Sequence, residues 1–130
     1  MTALEHRRFM TAGPKAPADA RDFVRDRLST RDRIDDLVLM VSELVTNAVR
    51  HGSRGRVFLR LIESKESLRV EVQQLHETAT TLNGKKPRSG FGLQIVEALS
   101  DAWGTGDPDW AGVWFEIKER GLNLTTKGDD

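Results

Sequence analysis

The order of periodic segments predicts an α+β fold in two layers, with helices packed on one face of a mixed or antiparallel sheet. Three observations carry this reading. Segments of helical and of alternating spacing follow one another as strand, helix, helix, strand, strand, loop, helix, strand. That succession lacks the strict alternation of a Rossmann-type sheet. Finally, 130 residues make one ordinary domain, long enough to bury a core without disulfide or metal staples.

Each element has its own signal. Arg7 to Met10 reads as a short edge strand, and Thr11 to Pro17, with Gly13 and Pro14, as a loop. A helix is expected from about Ala18 to Leu28, with Pro17 at its first turn and Asp19 and Asp22 at its positive end. The strongest periodicity runs from Ile34 to His51. There Ile34, Leu37, Val38, Val41, Leu44, Val45 and Ala48 recur at three- and four-residue steps, and Gly52 supplies the stop. Val57, Leu59 and Leu61, then Leu68, Val70 and Val72, alternate with their neighbours as two strands joined by the turn Glu63 to Ser67. A polar loop follows from Leu75 to Ser89, with Asn83-Gly84 and Pro87. A helix opens near Phe91 and buries Leu93, Val96 and Leu99. The last strand, Val113 to Lys118, sets Val113, Phe115 and Ile117 on one face. Residues 1–120 are expected to form the domain and 121–130 a flexible C-terminal tail.

Composition excludes several function classes. No cysteine is present, which removes disulfides, Cys-type zinc or iron–sulfur sites and thiol catalysis. The longest apolar run, Leu37 to Val41, is far too short to cross a membrane. The charged start MTALEHRRFM shows no export signal, and a cytoplasmic location is expected. Lys+Arg and Asp+Glu number 20 each, so the basic excess usual for nucleic-acid binders is missing and no direct nucleic-acid contact is expected. Of the 20 cations 14 are Arg; Arg50, Arg54, Arg56 and Arg60 form a cluster that reads as solvated surface or as a face for an acidic partner.

Two groups of residues carry candidate chemistry. Glu43 and Asn47 lie four apart, hence side by side on the long helix and off its apolar stripe. A carboxylate there can accept a proton, and a carboxamide oxygen can bind a hard cation such as Mg2+. His51, a further turn along, reads as a cap aided by the helix dipole. The second group is Gly90-Phe91-Gly92-Leu93 at a helix start, where free N–H groups favour an anion such as phosphate, with Lys85, Lys86 and Arg88 just upstream. Gly90 and Gly92 do not follow a strand directly, so they make neither a dinucleotide fingerprint nor a Walker loop.

Taken in order, these motifs resemble a known superfamily. Ser42-Glu-Leu-Val-Thr-Asn-Ala-Val-Arg-His-Gly52 is similar to the N box of the GHKL ATPases, which include gyrase, histidine-kinase and mismatch-repair members. Ser89-Gly-Phe-Gly-Leu-Gln-Ile-Val96 resembles their second glycine box. Asp101-Ala-Trp-Gly104 followed by Val113-Trp-Phe-Glu116 is similar to the small branch of anti-sigma-factor serine kinases. The resemblance implies a Bergerat sandwich with ATP between the long helix, the Gly90 helix and the intervening loop. It implies Glu43 as general base, Asn47 as Mg2+ ligand, and Gly90 and Gly92 as phosphate cradle. Phe91, Leu93, His51, Gln74 and Arg88 would line the same nucleotide site. Expected partners are a sigma factor, a STAS-type anti-anti-sigma protein phosphorylated on Ser, or both, with a homodimer as a family expectation.

Two positions depart from the superfamily pattern. Gln74 stands where an Asp accepts from the adenine amino group, and Gly112 where a Thr often supports that Asp. Hence a second reading: a degenerate, nucleotide-independent protein-binding regulator of the same fold.

Overall fold

In the computed structural model the chain runs β1 (Leu4–Thr11), α1 (Ala16–Leu28), α2 (Ile34–Gly52), β2 (Arg56–Glu63), β3 (Ser67–Leu75), α3 (Phe91–Leu99), β4 (Ala102–Thr105) and β5 (Ala111–Lys118). The structure describes residues 3–52, 55–75, 91–106 and 111–118. The expected loop over residues 76–90 and the expected tail over 121–130 lie outside the described residues.

The strands form one sheet in the order β1-β2-β3-β5-β4, with every described pairing antiparallel. Alternation decides what each face of that sheet does. Val57, Leu59 and Leu61 of β2, Leu68, Val70 and Val72 of β3, and Val113, Phe115 and Ile117 of β5 are buried towards the helices. Leu37, Val41, Leu44, Val45 and Ala48 of α2 meet them as the helical half of the same core. Burying each Leu or Val of this stripe is worth roughly 1.5–3 kcal/mol, so the α2–sheet interface is the main source of stability. The fold class is therefore the expected α+β sandwich, and its sheet is antiparallel rather than mixed.

α2 sits between α1 and α3 and rests on β2 and β3. α1 carries Ala16, Ala20, Phe23, Val24 and Leu28 as its buried stripe, with Pro17 in its first turn. Arg21 of α1 donates to the Ser42 hydroxyl of α2 at 2.9 Å. Arg33, just before α2, donates to the main-chain oxygen of Leu99 at 2.7 Å while also pairing with Asp36. The last carbonyls of a helix lack intrahelical partners, and Arg33 supplies one for α3.

Several expectations need correction. β1 is longer than Arg7 to Met10, pairing along its whole length from Leu4↔Glu63 to Thr11↔Arg56. By contrast, α2 ends at Gly52, the residue expected to stop it. The four-residue β4 was not foreseen, because Ala102 to Thr105 is short and contains a glycine, which weakens a strand signal. The glycine has a steric reason. A Cβ on Gly104 would lie 2.8 Å from Nε1 of Trp114, its neighbour across the β4–β5 ladder.

The sheet face turned away from the helices carries a charged ladder. Glu5 accepts from Arg60 at 2.7 Å and also from Arg7; Arg60 also reaches Glu71 at 3.1 Å; Arg69 bridges Glu71 and Glu116. Arg60 is thus a structural member of this network and not part of a solvated cation cluster. Hydrogen bonds from Arg60 and then Arg7 hold the Glu5 carboxyl down at about 2.

Candidate functional site

The candidate site lies where the second half of α2 meets the end of β3. Helical spacing stacks Glu43 and Asn47 one turn apart, and both are half-buried beside the fully buried Leu44, Val45 and Ala48. The adjacent Ser42 is held by Arg21, which fixes α2 against α1 at the turn that carries Glu43. Half-burial matters chemically. A polar side chain in a partly dry crevice exerts a stronger field than one in open water, yet a ligand can still reach it.

Gln74 closes the site from the sheet side. Strand alternation turns it towards the helices together with Val70 and Val72. Its side-chain nitrogen donates to the main-chain oxygen of Ala48 at 3.5 Å, a long bond. The end of β3 therefore touches α2 at the residue next to Asn47.

The position of α3 follows from its far end. Leu99 is tied to Arg33 at the start of α2, and the two helices pack against each other. At 1.5 Å per residue, α3 is about 12 Å long from that tether to its first turn. The first turn of α3 carries N–H groups that lack intrahelical partners, the kind of helix start that suits an anion. Leu93, expected as a nucleotide contact, has its side chain in the core at 5 % exposure; only its main chain remains to meet a ligand.

The other expected site residues divide plainly. His51 lies in the last turn of α2, and Phe91 and Gly92 form the start of α3. Arg88 and Gly90 lie outside the described residues. Gly112 was expected to share a pocket with Gln74, and the ladder overturns this. Gly112 pairs with Gln73, on the same face as Trp114 and away from the helices, while Ala111 stands opposite Gln74. A threonine at position 112 would point away from Gln74, so the departure from the superfamily pattern at this site rests on Gln74 alone.

Two positioning residues had escaped the sequence reading. Arg33 and Arg21 both act across long chain separations, on Leu99 and on Ser42. Only the Arg33–Asp36 spacing of three left a local trace.

Among the described residues no group of three or more His, Asp or Glu is placed to hold a metal ion by itself, and no helix is long and apolar enough to cross a membrane. The donor chemistry of Asn47 nonetheless suits Mg2+, which commonly takes one or two protein oxygens and fills its shell with water and substrate phosphates.

No curated protein matches the chain. A family model does, the one described as the histidine kinase-like ATPase domain, over residues 12–108. That span runs from the end of β1 past β4 and takes in the whole crevice between α2, Gln74 and α3. The matched span takes in most of the chain, and the chain belongs to the histidine kinase-like ATPase domain family.

Proposed function

We propose that the crevice binds Mg-ATP and that the protein acts as a regulatory serine kinase of the anti-sigma-factor type. It would hold a sigma factor and phosphorylate a Ser on a STAS-type antagonist, in the cytoplasm. The observation that carries this reading is the stacked pair Glu43 and Asn47, half-buried on α2 next to the point where Gln74 meets Ala48. Asn47 presents an oxygen to Mg2+, and the first turn of α3 presents N–H groups to phosphate oxygens. Mg2+, when bound, neutralises charge on the phosphates of the nucleotide. Glu43 then has the task of accepting the proton of the attacking serine hydroxyl. Phosphate on the partner adds nearly two negative charges, enough to turn an attractive protein contact into a repulsive one.

The test is phosphoryl transfer from labelled ATP to a STAS-type partner. Transfer to Ser by the intact chain, lost at least about a hundredfold in Glu43→Gln, supports the reading, because general bases contribute about 10²–10⁴ in rate. Unchanged transfer in that variant counts against it.

One observation favours a second reading. Gln74 spends its amide on Ala48 and brings no negative charge to the crevice. A regulator that binds its partner without nucleotide fits that residue. Its mark is a partner affinity unaltered by Glu43→Ala and Asn47→Ala in folded protein, and by added ATP.

A further inference from the structure

The sheet face remote from the helices takes no part in the crevice, yet it is built for contact. Phe9 is 51 % exposed there and stacks on Phe58 across the β1–β2 ladder with ring centroids 4.6 Å apart. The guanidinium of Arg56 lies 4.9 Å from the centre of the Phe9 ring. Aromatic and arginine side chains of this kind are over-represented at the centres of protein interfaces.

Charge on this face is unbalanced. Its carboxylates Glu5, Glu71 and Glu116 all accept hydrogen bonds from arginines of the ladder. Arg56 and Lys118 share the face by strand alternation, and among the described residues neither has an ion-pair partner. Arg7, whose side chain is 65 % exposed, is paired with Glu5, so among the described residues the unpaired cation beside Phe9 is Arg56. What remains for a visitor is positive charge around an exposed ring.

We infer that the outer sheet face around Phe9, Phe58 and Arg56 docks an acidic segment of a partner protein, with a carboxylate on Arg56 and an apolar side chain against the part of Phe9 left exposed beside its stacked partners. Three features select that occupant. The cation excess matches carboxylates. It also opposes a second copy docking face to face, since a two-fold axis would set like charge against like. Single-stranded nucleic acid needs ring faces free for bases, and these are taken. Phe9 is claimed by Phe58 and Arg56, while Trp114 carries Arg69 at 4.3 Å on its ring and lies against Gly104. This surface is independent of the crevice, so the result below stands whether or not ATP binds there.

The experiment titrates the isotopically labelled full chain with a short synthetic peptide of Glu and Asp around a central Leu-Phe. A Lys-for-Glu version, an oligothymidylate and a dilution series by sedimentation serve as comparisons. Amide shifts confined to β1 and β2 around Phe9 and Arg56, and absent from α2, are expected. Arg56→Glu should weaken binding about tenfold or more, and Phe9→Ser about fivefold, with the spectrum showing both variants folded. Rising salt should weaken it further. Any of four results overturns the inference: no shifts at millimolar peptide, equal binding of the Lys version, tighter binding of the oligothymidylate, or a dimer that dissociates in Phe9→Ser.

Discussion

The side-chain nitrogen of Gln74 lies 3.5 Å from the main-chain oxygen of Ala48, so the end of β3 is tied to α2 one residue from Asn47. A carboxylate at position 74 would be repelled by that carbonyl and would turn its charge to the crevice instead. Gln74→Asp is therefore expected to tighten ATP about threefold to thirtyfold, the difference between a neutral and a charged acceptor. Calorimetry on the two proteins measures it; weaker binding in the variant would show that Gln74 serves the helix contact alone.

Arg33 holds α3 by its C-terminal end through Leu99. Arg33→Ala should cost about 1–2 kcal/mol in urea unfolding and speed amide exchange along α3 before the rest of the chain. Uniform exchange across α1, α2 and α3 would mean that the tether does not act on α3 in particular.

Gly104 lies where a methyl group would meet the Trp114 indole, itself covered by the Arg69 guanidinium. Gly104→Ala must displace that rigid ring, at an expected cost of about 1–3 kcal/mol. The shift of the urea midpoint at constant slope gives the value. A double variant with Trp114→Leu should recover most of the loss.

Acid should loosen the sheet at two places. Burial pushes the Glu63 carboxyl up, but hydrogen bonds from His6 at 2.7 Å and Arg31 at 2.9 Å outweigh it and leave the group below its usual 4.5. Glu5 is held at about 2 by Arg60 and Arg7. A carboxyl with a lowered folded value stabilises fully above its unfolded value and loses that contribution as pH falls through the folded one. The acid limb of stability is thus expected to fall from about pH 4.5 towards 2. Glu5→Gln should flatten it, and NMR titration of the Glu5 carboxyl should give a midpoint near 2.

How much of this was legible from the chain depends on the range of the interaction. The stripe of α2 and the alternation in β2, β3 and β5 are local periodicities, and they located the core before any coordinates did. Glu43 and Asn47 were legible for the same reason, being one turn apart on a strongly periodic helix. Register was not. Whether position 111 or 112 faces Gln74 depends on which residue of β5 pairs with which residue of β3, and a shift of one exchanges the faces. β4 was hidden because its glycine answers to a tryptophan ten positions away on another strand. Arg60 looked like one of a cation cluster, since its partners Glu5 and Glu71 come from two different neighbouring strands.

The proposed site sets a magnesium nucleotide against Asn47, Gln74 and the first turn of α3. Calorimetric titration of the chain with ATP, with and without Mg2+ and repeated on Asn47→Ala, tests it most directly. Binding is expected below millimolar, dependent on Mg2+ and weakened about tenfold or more in the variant, roughly 1.4 kcal/mol. No heat from folded protein at millimolar Mg-ATP, or equal affinity in Asn47→Ala, would contradict it.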